Sequence, residues 1–353
     1  MATLDPVQQS GVGRLRSIQI LRAVAILGVL ALHVMERWSI STGRPLAPSA
    51  HIGAYGVDLF FVISGFIVCT VATRASAAAN FLRDRFVRVA PLYYLMTIPW
   101  LRFAAALGTL TPAAIATSLL FWPAWGRTPA YPVLAAGWTL GLEALFYCSL
   151  GVIVQFRRRA AIALAIGYAL ALALNLAGTP GVVRYVGNPL LLEFLLGAAI
   201  ALRPIRPRPR AGAAAVVLAG LLLGVWCAFG IGETWNGLAA FDPATALPRT
   251  AIAGPPAFLL VWGALQLEPW CRGRLADALG YIGDASYSIY LTHALAVALA
   301  AKAWNAAGMP KLGLAPVILV GALVYGVLVY RLIERPLLAL LRRRPQPIAL
   351  AAE

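Results

Sequence analysis

The chain alternates long apolar runs with short breaks that are basic, proline-rich or polar. A helix needs about 20 consecutive apolar residues to cross the hydrocarbon core of a bilayer, and runs of that length recur from end to end. Cutting the sequence at Arg clusters and at Pro/Gly/polar stretches predicts ten such helices, over 17–37, 52–72, 90–108, 137–156, 160–177, 185–202, 211–230, 250–267, 285–304 and 314–335. The expected fold class is an all-α polytopic membrane protein, a bundle of about ten transmembrane helices. No internal repeat and no inverted pair of broken helices stands out. Residues 1–353 are therefore expected to form a single integral-membrane domain, with short tails at about 1–16 and 337–353 and a stiff Pro-rich connection at 203–210.

The breaks alternate in charge. Nineteen Arg residues fall in one set of connections, among them Arg14, Arg16, Arg83, Arg85, Arg88, Arg157 to Arg159, Arg203 to Arg210 and Arg342 to Arg344. Seven basic residues (Arg37, Arg44, Arg127, Arg184, Arg249, Lys302 and Lys311) fall in the other. Basic residues accumulate on the cytoplasmic side, so both termini are expected in the cytoplasm, in keeping with an even number of spans.

Composition supports the same class. The chain is 61% hydrophobic and 12% charged with a mean hydropathy of +0.80, against about a quarter charged for soluble domains. That excludes an ordinary soluble enzyme and a disordered chain. A net charge of +16 would point to nucleic acid in a soluble protein, but here the charge sits between apolar runs and reads as topology and lipid contact. No nucleic-acid partner is expected. Cys69, Cys148, Cys227 and Cys271 form no CxxC pair, so neither a disulfide framework nor a metal site is expected. The first apolar run is too long for a cleavable signal peptide and lacks a small-residue cleavage site.

Ionisable groups within the spans carry the chemistry, because charge in the bilayer is costly and usually faces the bundle interior. Arg22 and His33 share the first span. Eleven helical steps return to within roughly 20° of the starting azimuth and rise about 16 Å, so the two side chains share a face at opposite depths. Glu36 follows His33 by three residues and can hold its imidazole. Asp58 and Glu143 each lie about six residues into a span that starts outside, near the depth of His33. A histidine with carboxylates in a dry interior is what general-base chemistry requires. Arg85 and Arg88, three apart, form a two-pronged basic face suited to phosphate. Bland readings stand beside these. Arg22 could snorkel, His33 could bond a neighbouring helix, and Glu36 could be solvated. Asp58 and Glu143 could neutralise Arg side chains, and Arg85 and Arg88 could serve topology alone. His293 fits a structural or substrate-positioning role. The loop aromatics Trp122, Trp125, Tyr131 and Trp235, with Asn236, could stack on sugars but fit an interfacial belt better.

Five blocks in this order resemble the family-3 membrane acyltransferases that modify bacterial surface glycans. They are Arg22-x10-His33; Gly56-Val57-Asp58-Leu59-Phe60-Phe61-Val62-Ile63-Ser64-Gly65-Phe66; Arg85-x-x-Arg88 with Pro91-Leu92-Tyr93-Tyr94; Gly137-Trp138-Thr139-Leu140 with Glu143, Phe146 and Tyr147; and Ser286 to His293 with Glu334-Arg335-Pro336. The resemblance, nearest to exopolysaccharide O-acetyltransferases, implies a multi-pass protein of the bacterial inner membrane. It implies transfer of an acyl group, usually acetyl, from cytoplasmic acetyl-CoA to a sugar hydroxyl of a glycan or lipid-linked oligosaccharide at the outer face. It casts His33 as the essential histidine, Arg22 as its motif partner near the donor, and Arg85 and Arg88 as binding CoA phosphates. Glu143 would position the acceptor or relay a proton. Gly141-Leu142 depart from the polar or bulky residues common there, which would loosen the acceptor pocket. The competing class is a proton-coupled transporter of a sugar or lipid-linked glycan, using His, Asp and Glu as a relay.

Overall fold

The computed structural model describes residues 15–229, 239–310 and 313–342, and all regular structure among them is helical. Expectations resting on Arg14, Trp235, Asn236, Lys311, Arg343 and Arg344, and on most of both tails, lie outside the described residues. The helices are α1 (Arg16–Thr42), α2 (Tyr55–Arg74, led by a 3-10 turn at Pro48–Ala54), α3 (Ala78–Ala106), α4 (Pro112–Leu120), α5 (Trp138–Leu176), α6 (Val182–Val186) and α7 (Leu191–Ala201). There follow α8 (Pro209–Ala228), α9 (Pro243–Gln266), α10 (Arg274–Asp284), α11 (Ser286–Ala306) and α12 (Leu314–Val329), which runs through a π-helical turn at Tyr330–Glu334 into α13 (Arg335–Leu341).

Six helical stretches are long and apolar enough to cross a membrane: 16–42, 48–74, 135–176, 182–201, 209–228 and 314–341. The remaining expected spans fall on α3, α9 and α11. The first two are interrupted by prolines (Pro91 and Pro99; Pro248, Pro255 and Pro256), and α3 also carries Arg83, Arg85, Arg88 and Arg102. The 39 residues of α5 would extend about 58 Å, far beyond one hydrocarbon core. Its backbone breaks at Arg157 (φ 58°, ψ −140°), at the Arg157 to Arg159 cluster where the sequence separates two spans. Two boundaries need correction. The span expected from 90 begins at Ala78, so the Arg83 to Arg88 stretch is helical. The span expected from 250 begins at Pro243, because Asp242 caps the Ala244 amide and proline suits the first helical position. Arg249, expected in an outer connection, is therefore inside α9 and 1% exposed.

Helix α1 is the hub, packed against α2, α9, α10, α11 and α12. Its first amides would be unsatisfied at a buried end, and Glu268 accepts from the backbone N–H of Arg16 (2.9 Å) and Ser17 (2.8 Å). In lipid, helices gain little from hydrophobic burial against each other and associate through close packing of small residues. The α2–α7 crossing depends on this. The hydrogen of Gly65 faces the Phe194 carbonyl, and that of Gly197 faces the Val62 carbonyl, so a Cβ at either site would overlap main chain.

Gly197→Leu is expected to destabilise the protein by about 3 kcal/mol or more, since overpacking here meets backbone rather than a side chain that can move. Gly220→Leu, at an exposed site with open space around it, should melt like wild type. Thermal unfolding in detergent compares the two.

Candidate active site

A cavity of about 180 Å³ opens among α1, α2, α3, α5 and α11. Three cations line it, Arg22 from α1 and Arg85 and Arg88 from α3, together with Glu143 from α5. Arg85 and Arg88 meet there because α3 starts early enough to put both on one helical face. Arg22 Nη1 donates to Gln19 Oε1 at 3.1 Å. Arg88 is held firmly: Nη1 donates to Glu334 Oε1 at 2.5 Å, and the guanidinium stands 5.9 Å from the centre of the Tyr287 ring. Glu334, 1% exposed, also accepts from Ser288 Oγ at 2.5 Å. Arg85 has a buried Nε with no hydrogen-bond partner among the described residues. A guanidinium N–H without a partner in a dry wall fits an anionic ligand better than a finished structural contact.

Glu143 Oε1 accepts from Ser64 Oγ and from Tyr147 Oη, both at 2.5 Å. The opposite wall is apolar, built by Val57, Phe60, Ile67 and Val68 of α2. Toward α11 the cavity ends on Tyr290, whose hydroxyl lies 3.1 Å from Thr139 Oγ1 and donates to the Ala136 carbonyl at 3.2 Å.

His33 lies beyond Tyr290, outside the cavity lining. Its Nδ1 is 2.7 Å from Glu36 Oε2, and both side chains are about two-fifths exposed. A carboxylate only accepts, so Nδ1 carries the hydrogen and Nε2 is left as the basic nitrogen. The ring stacks on His293 with centroids 4.8 Å apart. His33 and Glu36 thus form one station, and Arg22, Arg85, Arg88 and Glu143 another. The carboxylate cluster expected around His33 does not assemble. Glu143 belongs with the arginines, and Asp58 points away, into the α2–α9 contact.

There the Asp58 carboxylate takes Arg249 in a two-point grip, Nε at 2.7 Å and Nη2 at 2.9 Å, with both residues essentially unexposed. Glu193 of α7, also unexposed, faces the same pair. Arg249 additionally stands 6.0 Å from the Trp138 ring centre. Gly141 and Leu142 lie outside the lining of this cavity: Leu142 is fully buried in the packed interior, and the Gly141 carbonyl accepts from the Tyr185 hydroxyl at 2.5 Å. Sequence reasoning gave no role to Ser64, Tyr147, Arg249, Glu193 or Glu334. The Asp242-Pro243 helix start was the signal that would have placed Arg249 in a helix.

A family model described as an acyltransferase domain matches residues 15–331, including every residue of both stations. The chain belongs to the family-3 acyltransferases. It is 36% identical over 318 residues, 85% of this chain and 94% of the relative, to exopolysaccharide production protein ExoZ of Rhizobium meliloti. It is 25% identical to acyltransferase MdmB of Streptomyces mycarofaciens, across 96% of this chain and 95% of that one. Nodulation protein 10 of Rhizobium leguminosarum bv. viciae matches 44% of the chain at 26% identity. No solved structure matches the chain. Membership makes this protein an enzyme that transfers acyl groups, and its apolar helices are those of a membrane protein.

Removing one member of a buried ion pair strands the other, at a cost of about 3–5 kcal/mol. Arg249→Met, which leaves Asp58 and Glu193 without their cation, should cost at least that much. Asp58→Asn should cost less, because Glu193 remains to face Arg249. Thermal unfolding of the two variants in lipid nanodiscs gives the order, and an equal loss in both would remove Glu193 from the account.

Proposed function

We propose that this enzyme moves an acyl group, in the first place acetyl, from cytoplasmic acyl-CoA to a hydroxyl of an exopolysaccharide or other surface glycan, free or lipid-linked. Transfer takes place at the outer face of the bacterial inner membrane. The observation that carries the reading is the gathering of Arg22, Arg85, Arg88 and Glu143 in one cavity, with His33 and Glu36 further along the same helix as Arg22. Three guanidinium groups against one lining carboxylate suit an anion with several phosphates. About 16 Å of helix rise separates Arg22 from His33, a distance that the extended pantetheine arm of CoA suits. The apolar wall of α2 suits the arm and the acyl group.

In this mechanism His33 Nε2 takes the proton of the acceptor hydroxyl while the hydroxyl oxygen bonds to the thioester carbonyl carbon. The carbon–sulfur bond then breaks, and the thiolate takes the proton back from the imidazolium. Glu36 holds the imidazolium through its Nδ1 hydrogen. Glu143, at the arginine station, passes a proton or positions substrate within the cavity rather than at His33, with Ser64 and Tyr147 fixing its carboxylate. Asp58 supports the site through Arg249 rather than by touching substrate. In the bilayer the chain acts as one unit of ten spans with both termini cytoplasmic; the Arg-rich connections support that orientation. The exopolysaccharide role in the name of its R. meliloti relative supports a glycan acceptor.

Purified protein in lipid should transfer label from acetyl-CoA to a glycan acceptor. His33→Ala should lose about 10²–10⁴-fold in kcat, the usual worth of a positioned general base. Arg85→Ala should raise KM for acetyl-CoA by roughly 10–100-fold, the worth of one charge-assisted hydrogen bond, with kcat less affected. Transfer at wild-type rate by His33→Ala would sink the mechanism. An unchanged donor KM in Arg85→Ala would move the donor elsewhere.

A further inference from the structure

His293 is 3% exposed and stacks on His33 with ring centroids 4.8 Å apart and planes 28° from parallel. Its Nδ1 lies 2.6 Å from the Tyr290 carbonyl oxygen. A carbonyl only accepts, so Nδ1 carries the hydrogen and the neutral tautomer of His293 is fixed. Tyr290 is itself fixed, by Thr139 and the Ala136 carbonyl through its hydroxyl and by Phe60 against its ring (6.3 Å). The Tyr290 ring in turn stands 5.8 Å from the His293 ring, 32° from parallel, so a series of side-chain contacts runs from the start of α5 through Tyr290 and His293 to the face of the His33 ring. Glu36 holds the edge of that ring.

The edge contact alone does not fix the plane of an imidazole. A ring hydrogen-bonded through Nδ1 can still rotate about that bond, and rotation swings Nε2 away from any fixed substrate. His33 is two-fifths exposed on a helix surface, where side chains change rotamer readily. A flat, buried ring against its face removes that freedom, and an aromatic ring offers a broad, rigid face for the purpose.

We propose that His293 is a positioning residue: its ring, clamped through Tyr290, sets the plane in which His33 presents Nε2 to the acceptor hydroxyl. The inference rests on His33 being the reacting base. It makes the flat ring of His293, rather than its nitrogens, the working part, and it assigns the Tyr290 clamp a share in the geometry of proton transfer. Misplacement of a reacting group by about 1 Å can cost as much as 10²-fold.

The test uses full-length protein in lipid, labelled acetyl-CoA and a glycan acceptor, with His33→Ala, His293→Ala, His293→Gln and His293→Phe side by side. Loss of transfer in His33→Ala establishes the premise. His293→Ala and His293→Gln are then expected to lose about tenfold or more in kcat with the KM for acetyl-CoA unchanged. His293→Phe, which keeps a flat ring without nitrogens, should stay within about threefold of wild type. Full activity in His293→Ala overturns the proposal while leaving the role of His33 intact. So does the reverse order, Gln active and Phe inactive, which would put the work on a nitrogen. A rise in donor KM in all three variants also overturns it, because the defect would then lie in the fold of the cavity. Wild-type transfer by His33→Ala overturns both readings together.

Discussion

The Asp58–Arg249 ion pair sets the orientation of α2, and through α2 the shape of the whole site. Two charges enclosed by apolar helices persist only if each satisfies the other, and the two-point grip does so with both side chains out of contact with solvent. Helical spacing then assigns the rest of α2. Asp58, Val62 and Gly65 lie on the face that meets α7 and α9, where the Gly65 and Gly197 backbones nearly touch. Val57, Phe60, Ser64, Ile67 and Val68 are left to face the cavity. Turning α2 by one residue would bring Ser64 or Phe66, in place of Gly65, against the Phe194 carbonyl and swing Asp58 off Arg249, so the ion pair and the glycine crossing enforce one register.

Charge pairing also separates the arginines by how firmly each is held. Arg249 is committed to Asp58, and Arg88 to Glu334, which Ser288 secures from the other side. Arg85 and Arg22 are less committed: one has an unpartnered Nε and the other a contact with a neutral amide. A ligand with several phosphates would therefore meet one anchored guanidinium and two adaptable ones. Anchored groups define where an anion sits, while adaptable ones can close on it at small cost in reorganisation.

The pattern of apolar runs made the all-helical class and the positions of most long helices legible, because span length follows from bilayer thickness and does not depend on tertiary detail. The Arg22–His33 register was legible for a similar reason, since both lie on one uninterrupted helix and eleven steps fix their relation. Depth alone could not say where Asp58 and Glu143 point. Residues at equal depth on different helices meet only if rotation about each helix axis allows it, and rotation is set by partners distant in sequence. Asp58 is turned by a residue 191 positions away, and Arg88 meets a glutamate 246 positions away. The start of α9 was missed because prolines and Arg249 made its first turns look like a loop, although Asp242 and Pro243 carry a helix-start signature.

The stretch from Tyr287 to His293 shows why a short motif late in the chain can matter to residues near its beginning. Tyr287 donates to the Val89 carbonyl on α3 at 2.7 Å, and Ser288 fixes Glu334 on the π-helical turn, which in turn fixes Arg88. Tyr290 reaches the start of α5, and His293 reaches α1. Within two turns of α11, successive side chains radiate to four neighbouring elements. A helix in that position cannot rotate or slide without disturbing both the arginine station and the histidine station. The π-helical turn serves the same end, because its extra residue offsets the positions that follow it relative to α12, and Glu334 closes that turn. The two halves of the candidate site, spaced about 16 Å apart by α1 itself, are therefore one mechanical unit, with α11 tying both to the elements around them.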